Sequence, residues 1–99
     1  MSNLVKQYST LTSGTITGQD TGQDTQVIHN AASLAATLTI TFPANPIDSQ
    51  RYGVSSVLGV TILTMTSGQT IVGILTALTA VGYATWMYNS DSSKWIRIG

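Results

Sequence analysis

Residues 36–43 read ATLTITFP. Leu38, Ile40 and Phe42 alternate with Thr37, Thr39 and Thr41, the period of two that sends alternate side chains to opposite faces of a strand. One face is apolar and the other is hydroxyl. Pro43 and Pro46 end the run, because proline donates no hydrogen bond to a ladder and pushes the residue before it into extended or turn geometry. Toward the N-terminus, TQVIHN (25–30) reads as a strand and AASLAA (31–36) as a connection of small residues. Toward the C-terminus, QRYGVSS (50–56) and GVTILTMT (59–66) read as strands joined by a tight connection near Leu58-Gly59. GVTILTMT carries apolar side chains on both faces, as expected of a strand in the middle of a sandwich or at a subunit seam. SGQTIVG (67–73) is a further short strand, and LTALTAV (75–81) is read as extended. YATWMY (83–88) and KWIRIG (94–99) flank NSDSS, a polar loop of turn formers, and so predict a closing hairpin.

Composition agrees with strands. The 99 residues include sixteen Thr and eleven Ser but no Glu, and only 8% are charged, against about 25% in ordinary soluble domains. β-Branched threonine loses rotamer freedom in a helix and packs well on a sheet. The expected fold is all-β, a small antiparallel β-sandwich or jelly-roll-like barrel. Residues 14–99 form its single domain, and residues 1–13 are an N-terminal arm or first strand. A chain of this length buries only about 60–65% of the surface its unfolded form exposes, so support from a partner subunit is expected.

The formal net charge is zero. That removes the attraction nucleic acid or an anionic membrane requires, and also the repulsion that keeps proteins apart. Neither is expected as a partner. Tyr52 to Ser90 contains no charged residue, and 70–88 (TIVGILTALTAVGYATWMY) has the length of a membrane helix. Its recurrent threonines, its glycines and the lack of flanking basic residues favour buried strands instead. The start, MSNLVKQYSTLTSG, lacks the basic and apolar regions of a signal peptide, which predicts a protein made in a cytoplasm.

Asp20-Thr21-Gly22 has the triplet of an aspartic protease. Such a triplet needs an apolar, buried setting in which two carboxylates share a proton. Here Gln19 and Gln23 flank it within the polar repeat TGQDTGQDTQ, the composition of a surface turn. Asp20 and Asp24 also supply too few oxygens for Ca²⁺ unaided. Gly68 to Gly73 has phosphate-loop spacing but continues with Ile74-Leu75 where Lys and Ser/Thr are required. His29 is the only histidine, there is no cysteine, and no nucleophile elbow is present. No enzyme, cofactor or metal site is expected.

What remains is a surface. Trp86, Tyr88 and Trp95 cluster in the closing hairpin with Tyr83 and Met87. Aromatic groups of this kind fill a core or anchor an interface. Alternation places Trp86 and Tyr88 on one face of their strand and Tyr83 and Met87 on the other. With two apolar faces, these five residues are the expected subunit interface. Leu4, Val5, Tyr8 and Leu11, set in a polar frame, are the expected docking residues.

The runs QVIHNAASLAATLTITFPANPIDSQRYGVSS, GVTILTMTSG and GYATWMYNSDSSKWIRIG resemble the small β-domain of tailed-bacteriophage virion proteins, including capsid decoration (cement) proteins and the ends of head or tail fibres. The resemblance spans residues 26–99. It rests on the Pro-x-x-Pro turn before Asp48-Ser49-Gln50-Arg51 and on the aromatic closing hairpin with its Trp-x-Arg-Ile-Gly ending. Relatives often carry Gly where this chain has Ser49. The resemblance implies a homotrimer that is used for binding. Its partner would be the phage major capsid protein, and it would sit on the outer capsid surface of a virion assembled in a bacterial host. The fibre-type alternative implies a glycan receptor instead, for which Tyr88, Asn89, Asp91 and Trp95 are suitable residue types.

Overall fold

The structure, a computed structural model, describes all residues except 1–4, 21, 32–34 and 80–81. Nine strands and no helix are found among the described residues: β1 (Val5–Ser9), β2 (Thr15–Thr17), β3 (Thr25–His29), β4 (Ala35–Thr41), β5 (Arg51–Ser56), β6 (Val60–Thr66), β7 (Thr70–Val72), β8 (Gly82–Asn89) and β9 (Lys94–Arg97). The chain is all-β.

The first six strands alternate between two sheets. β1, β3 and β5 stack in parallel in one sheet, with Val5 beside Thr25 and Thr25 beside Tyr52. β2, β4 and β6 stack in parallel in the other, with Thr15 beside Thr39 and Thr39 beside Thr64. Each successive pair of strands therefore makes one coil, and the arrangement is β-solenoid-like. After β6 the winding stops. β8 adds antiparallel to β5, β9 antiparallel to β8, and β7 parallel to β9, so the larger sheet runs β1-β3-β5-β8-β9-β7.

This corrects the expected antiparallel sandwich or jelly roll, since only the pairs made by β8 are antiparallel. Period-two alternation fixes which face of a strand is buried but carries no information about the direction of its neighbour. Parallel pairs need a crossover, and here each crossover is a strand of the opposite sheet. The closing hairpin is present, with Ser90–Ser93 as its loop. TQVIHN, ATLTITFP, QRYGVSS and SGQTIVG all contain strands where expected. From LTALTAV, Leu78 makes an isolated antiparallel bridge to Val60, while Ala80 and Val81 lie outside the described residues.

GVTILTMT is a border strand of the small sheet, not a central one. Val60 and Leu63 are both buried although an odd number of residues apart, as are Ala35 and Leu38 in β4. The two strands interrupt their alternation at the same place and so turn together. That explains apolar residues of both parities, and it leaves Ile62 outside at 56% exposure.

Between the sheets Phe42 meets three aromatic rings. Its centroid lies 5.0 Å from Tyr52, 5.4 Å from Trp86 and 5.2 Å from Trp95, in tilted or edge-on geometry. Tyr88 packs on Trp95 at 5.3 Å. The Trp86 indole N–H donates to the Val72 carbonyl, joining β8 to the border strand β7. Burial pushes the Tyr52 phenol's pKa up, which keeps it neutral among these rings. Trp86 and Trp95 are 0% exposed within the single chain.

At one corner, buried His29 ties three coils together. Its Nε2 faces the Leu11 carbonyl, which can only accept, so Nε2 carries the proton. Nδ1 then accepts from the Ser56 hydroxyl at 2.9 Å, and the same oxygen accepts the Gly59 N–H at 2.9 Å.

Two stability predictions follow from this packing. Trp86→Ala should lower unfolding free energy by about 3–5 kcal/mol, the usual cost of deleting a core aromatic, measured from the urea midpoint at constant slope. Ser49 has φ 67°, the left-handed region that an L side chain occupies at a cost of roughly 1–2 kcal/mol. Ser49→Gly relieves that strain while adding some unfolded-state entropy, so a net gain of up to about 1 kcal/mol is expected by the same measurement.

Candidate binding surface

The parity of β8 divides the aromatic hairpin between two environments. Ala84, Trp86 and Tyr88 point into the core, as does Trp95 of β9. Tyr83 and Met87 point outward. Trp86 and Trp95, expected at a subunit interface, are wholly buried in the chain's own core and Tyr88 is largely so, which leaves little ring area to present to another subunit. A strand with two apolar faces is also what a sheet makes when one face is core and the other carries a separate exposed patch.

That patch lies on the outer face of the six-stranded sheet. Across it, Tyr8 of β1 is beside Ile28 of β3, Ile28 beside Ser55 of β5, and Ser55 beside Tyr83 of β8. Tyr83 is 68% exposed and Tyr8 55%. Ile28, Ser55, Ser56, Val57, Gly82 and Tyr83 enclose a shallow, largely apolar hollow of about 240 Å³. A second row runs Arg51, Met87, Ile96, Val72. The two rows are separated by Gln26, Gly53 and Thr85. A Cβ on Gly53 would come within 2.5 Å of the Gln26 side-chain oxygen and 2.9 Å of the Thr85 hydroxyl, so any larger residue there would displace those side chains. Gln26 itself reaches across Gly53 to donate to Ser55 at 2.7 Å.

At the other end of this face, Asp48, Ser49, Met87, Tyr88, Asn89, Asp91, Ile96 and Ile98 line an open groove of about 360 Å³. Its floor is aliphatic. Its aromatic member, Tyr88, is largely buried, and Trp95 is wholly so, which leaves little ring area for a sugar to stack on.

The expected docking residues fall in and beside the first coil. Leu4 lies outside the described residues. Val5 begins β1 and is half-buried on the inner side, Tyr8 is outward on β1, and Leu11 is 40% exposed in the connection to β2. From Val5 the segment is therefore a paired border strand. The short strand β2 has no counterpart in the sequence reading; its signal was the alternation of Thr15, Ile16 and Thr17 just after Gly14.

The catalytic-looking pieces have structural partners. Asp20 accepts the Asn45 backbone N–H at 2.9 Å and its side-chain amide at 3.1 Å, fastening the TGQD loop to the turn after Pro43. Asp24 pairs with Arg51 at 3.0 Å and accepts its backbone N–H. Asp48 accepts the backbone N–H and hydroxyl of Ser90, tying the turn before β5 to the hairpin loop. Thr21 of the Asp-Thr-Gly triplet lies outside the described residues. Among the described residues no group of three metal-ligating side chains converges, and no helix is long and apolar enough to cross a membrane.

Compared with known proteins, the chain matches no family model, no curated protein and no solved structure.

Hydrogen bonds from Asn45 to Asp20, led by its backbone N–H, hold that carboxyl below its ordinary range, and the bonds from Ser90, again led by the backbone, do the same for Asp48. A carboxyl whose folded pKa is depressed contributes stability that is present above the unfolded value and is lost as pH falls through the folded one. Melting temperature should therefore hold from neutrality to near pH 3.8 and drop below it. Asp48→Asn should lower stability at neutral pH and make the acid limb shallower, read by calorimetry across the pH series.

Proposed function

We propose that the chain is a non-enzymatic structural protein of a phage virion, a decoration or cement protein that binds the outside of an assembled capsid as a homotrimer and stabilises it. The observation that carries this reading is the outer face of the six-stranded sheet, where exposed Tyr8 and Tyr83, half-buried Ile28 and nearby exposed Val57 form an apolar patch interrupted only by Ser55, on a chain of which 8% is charged. Contiguous apolar surface of this kind marks a site that another protein covers. Tyr83 and Met87 remain as trimer contacts on that face. Tyr8 and Leu11, at the first coil, are the docking contacts for the major capsid protein. The resemblance of residues 26–99 to virion β-domains supports the same assignment. No catalytic step and no cofactor belong to it.

A trimer that bridges neighbouring shell subunits binds the assembled state and not the separated one, and so stabilises the shell by mass action. Its contacts are apolar and hydrogen-bonded, because eight charged residues leave little for ion pairs. One specific observation favours the fibre-type, glycan-binding alternative: the open groove with Asp48, Asn89 and Asp91 at its rim.

Added to shells stripped of it, the protein should rebind at saturable, symmetry-related sites and raise their resistance to heat. Rebinding should persist at moderate salt, which screens ion pairs within a Debye length of about 8 Å at physiological ionic strength. Light scattering should give a trimer mass, and Tyr83→Asp should reduce it to a monomer with unchanged circular dichroism. Indifference to shells together with binding to host surface polysaccharide replaces this reading with the fibre-type one.

A further inference from the structure

The outer face of the small sheet is a lattice of threonines. Thr15-Ile16-Thr17 of β2, Thr39-Ile40-Thr41 of β4 and Thr64-Met65-Thr66 of β6 repeat one pattern in three adjacent parallel strands. Their register is without offset: Thr15, Thr39 and Thr64 form one row, and Thr17, Thr41 and Thr66 the next. The residues between them, Ile16, Ile40 and Met65, are buried and fix each strand from beneath. Thr37 and Ile62 extend the face by a partial third row. None of the chain's eight charged residues lies in β2, β4 or β6.

Sheet geometry sets the dimensions. Neighbouring strands are about 4.8 Å apart and alternate residues about 6.6 Å apart, so the six threonine positions repeat on a nearly rectangular grid. Threonine is stiff at χ1, which limits the entropy lost when its hydroxyl is held in one place. Thr41 and Thr66 bond to each other at 2.9 Å, so at the end of that row two hydroxyls are held as a pair, each with hydrogen-bonding capacity left for an outside layer. Such a grid approximates the repeat of oxygen atoms on a prism face of ice. Hydroxyls at that spacing hold water in crystal-like positions, while the methyls between them order the intervening first-shell water. A soluble carbohydrate or a protein surface has no such two-dimensional repeat.

We infer that this threonine face binds ice, through a layer of water that the array orders. The surface is separate from the outer face of the six-stranded sheet, and the inference does not rest on the shell-binding reading.

The test is ice growth in the presence of the purified protein, read as grain coarsening in a frozen sucrose solution and as the gap between melting and growth of a single ice crystal. The native chain should slow coarsening and open a measurable gap. Thr39→Lys, at the centre of the array, should abolish both. Thr64→Lys, on the exposed border strand, serves as a second disruption should Thr39→Lys fail to fold, with circular dichroism and melting temperature as the check on folding. Thr70→Lys, an exposed threonine on β7 of the other sheet, should leave both effects intact. Native protein that allows coarsening at the rate of an inert protein overturns the inference, as does a loss with Thr70→Lys equal to that with Thr39→Lys. Adsorption to microcrystalline cellulose without any effect on ice also overturns it and assigns the array to a polysaccharide surface.

Discussion

The contact of Phe42, edge-on to two tryptophans and tilted against a tyrosine, holds the two sheets together. Phe42 is the last residue of the TITF alternation and stands directly before Pro43, so the strand ends at the point where its ring enters the core. Tyr52 reaches it from β5, Trp86 from β8 and Trp95 from β9, all in the opposite sheet. Aromatic pairs in this geometry add to the stabilisation by buried area, and their directional preference fixes how one sheet lies over the other. A small chain needs such a concentrated contact, because its core has few other large side chains.

The legible parts of the sequence were those that alternation reports. ATLTITFP, TQVIHN and QRYGVSS announced strands and the faces they bury, and NSDSS announced the hairpin. Direction and order were not legible, since the same alternation serves parallel and antiparallel ladders and a crossover strand looks like any other. β2 was missed because three residues make too short a run to stand out among threonines. In the hairpin, alternation correctly separated Trp86 and Tyr88 from Tyr83 and Met87, but it does not say which set is core. The carboxylates of the TGQD repeat looked like a solvated turn, and their fastening to Asn45 and Arg51 depends on neighbours far along the chain.

The two sheets present different outer chemistry for the same reason. A coil that contributes one strand to each sheet must bury one side of both, which leaves the other sides free to take any pattern compatible with solubility. On the larger sheet that freedom is spent on apolar rows around Tyr83; on the smaller it is spent on repeated hydroxyls. The smaller face has no charged residue in its strands, so recognition there rests on shape and spacing more than on long-range attraction, whereas Lys6, Arg51 and Lys94 lie beside the apolar residues of the larger face.

The position of the two tryptophans bears on how the molecule is made. β8 and β9 emerge from the ribosome after every strand they pack against, and without them Phe42 and Tyr52 have no large rings to close upon. The stacked coils are themselves built from contacts distant in sequence, which form slowly because each closes a long loop first. During synthesis the earlier strands therefore wait with their apolar faces and unpaired backbone exposed, the condition under which nascent chains associate wrongly. A paucity of charge gives them little repulsion to prevent it, whereas the threonine-rich faces keep them hydrated until the hairpin arrives.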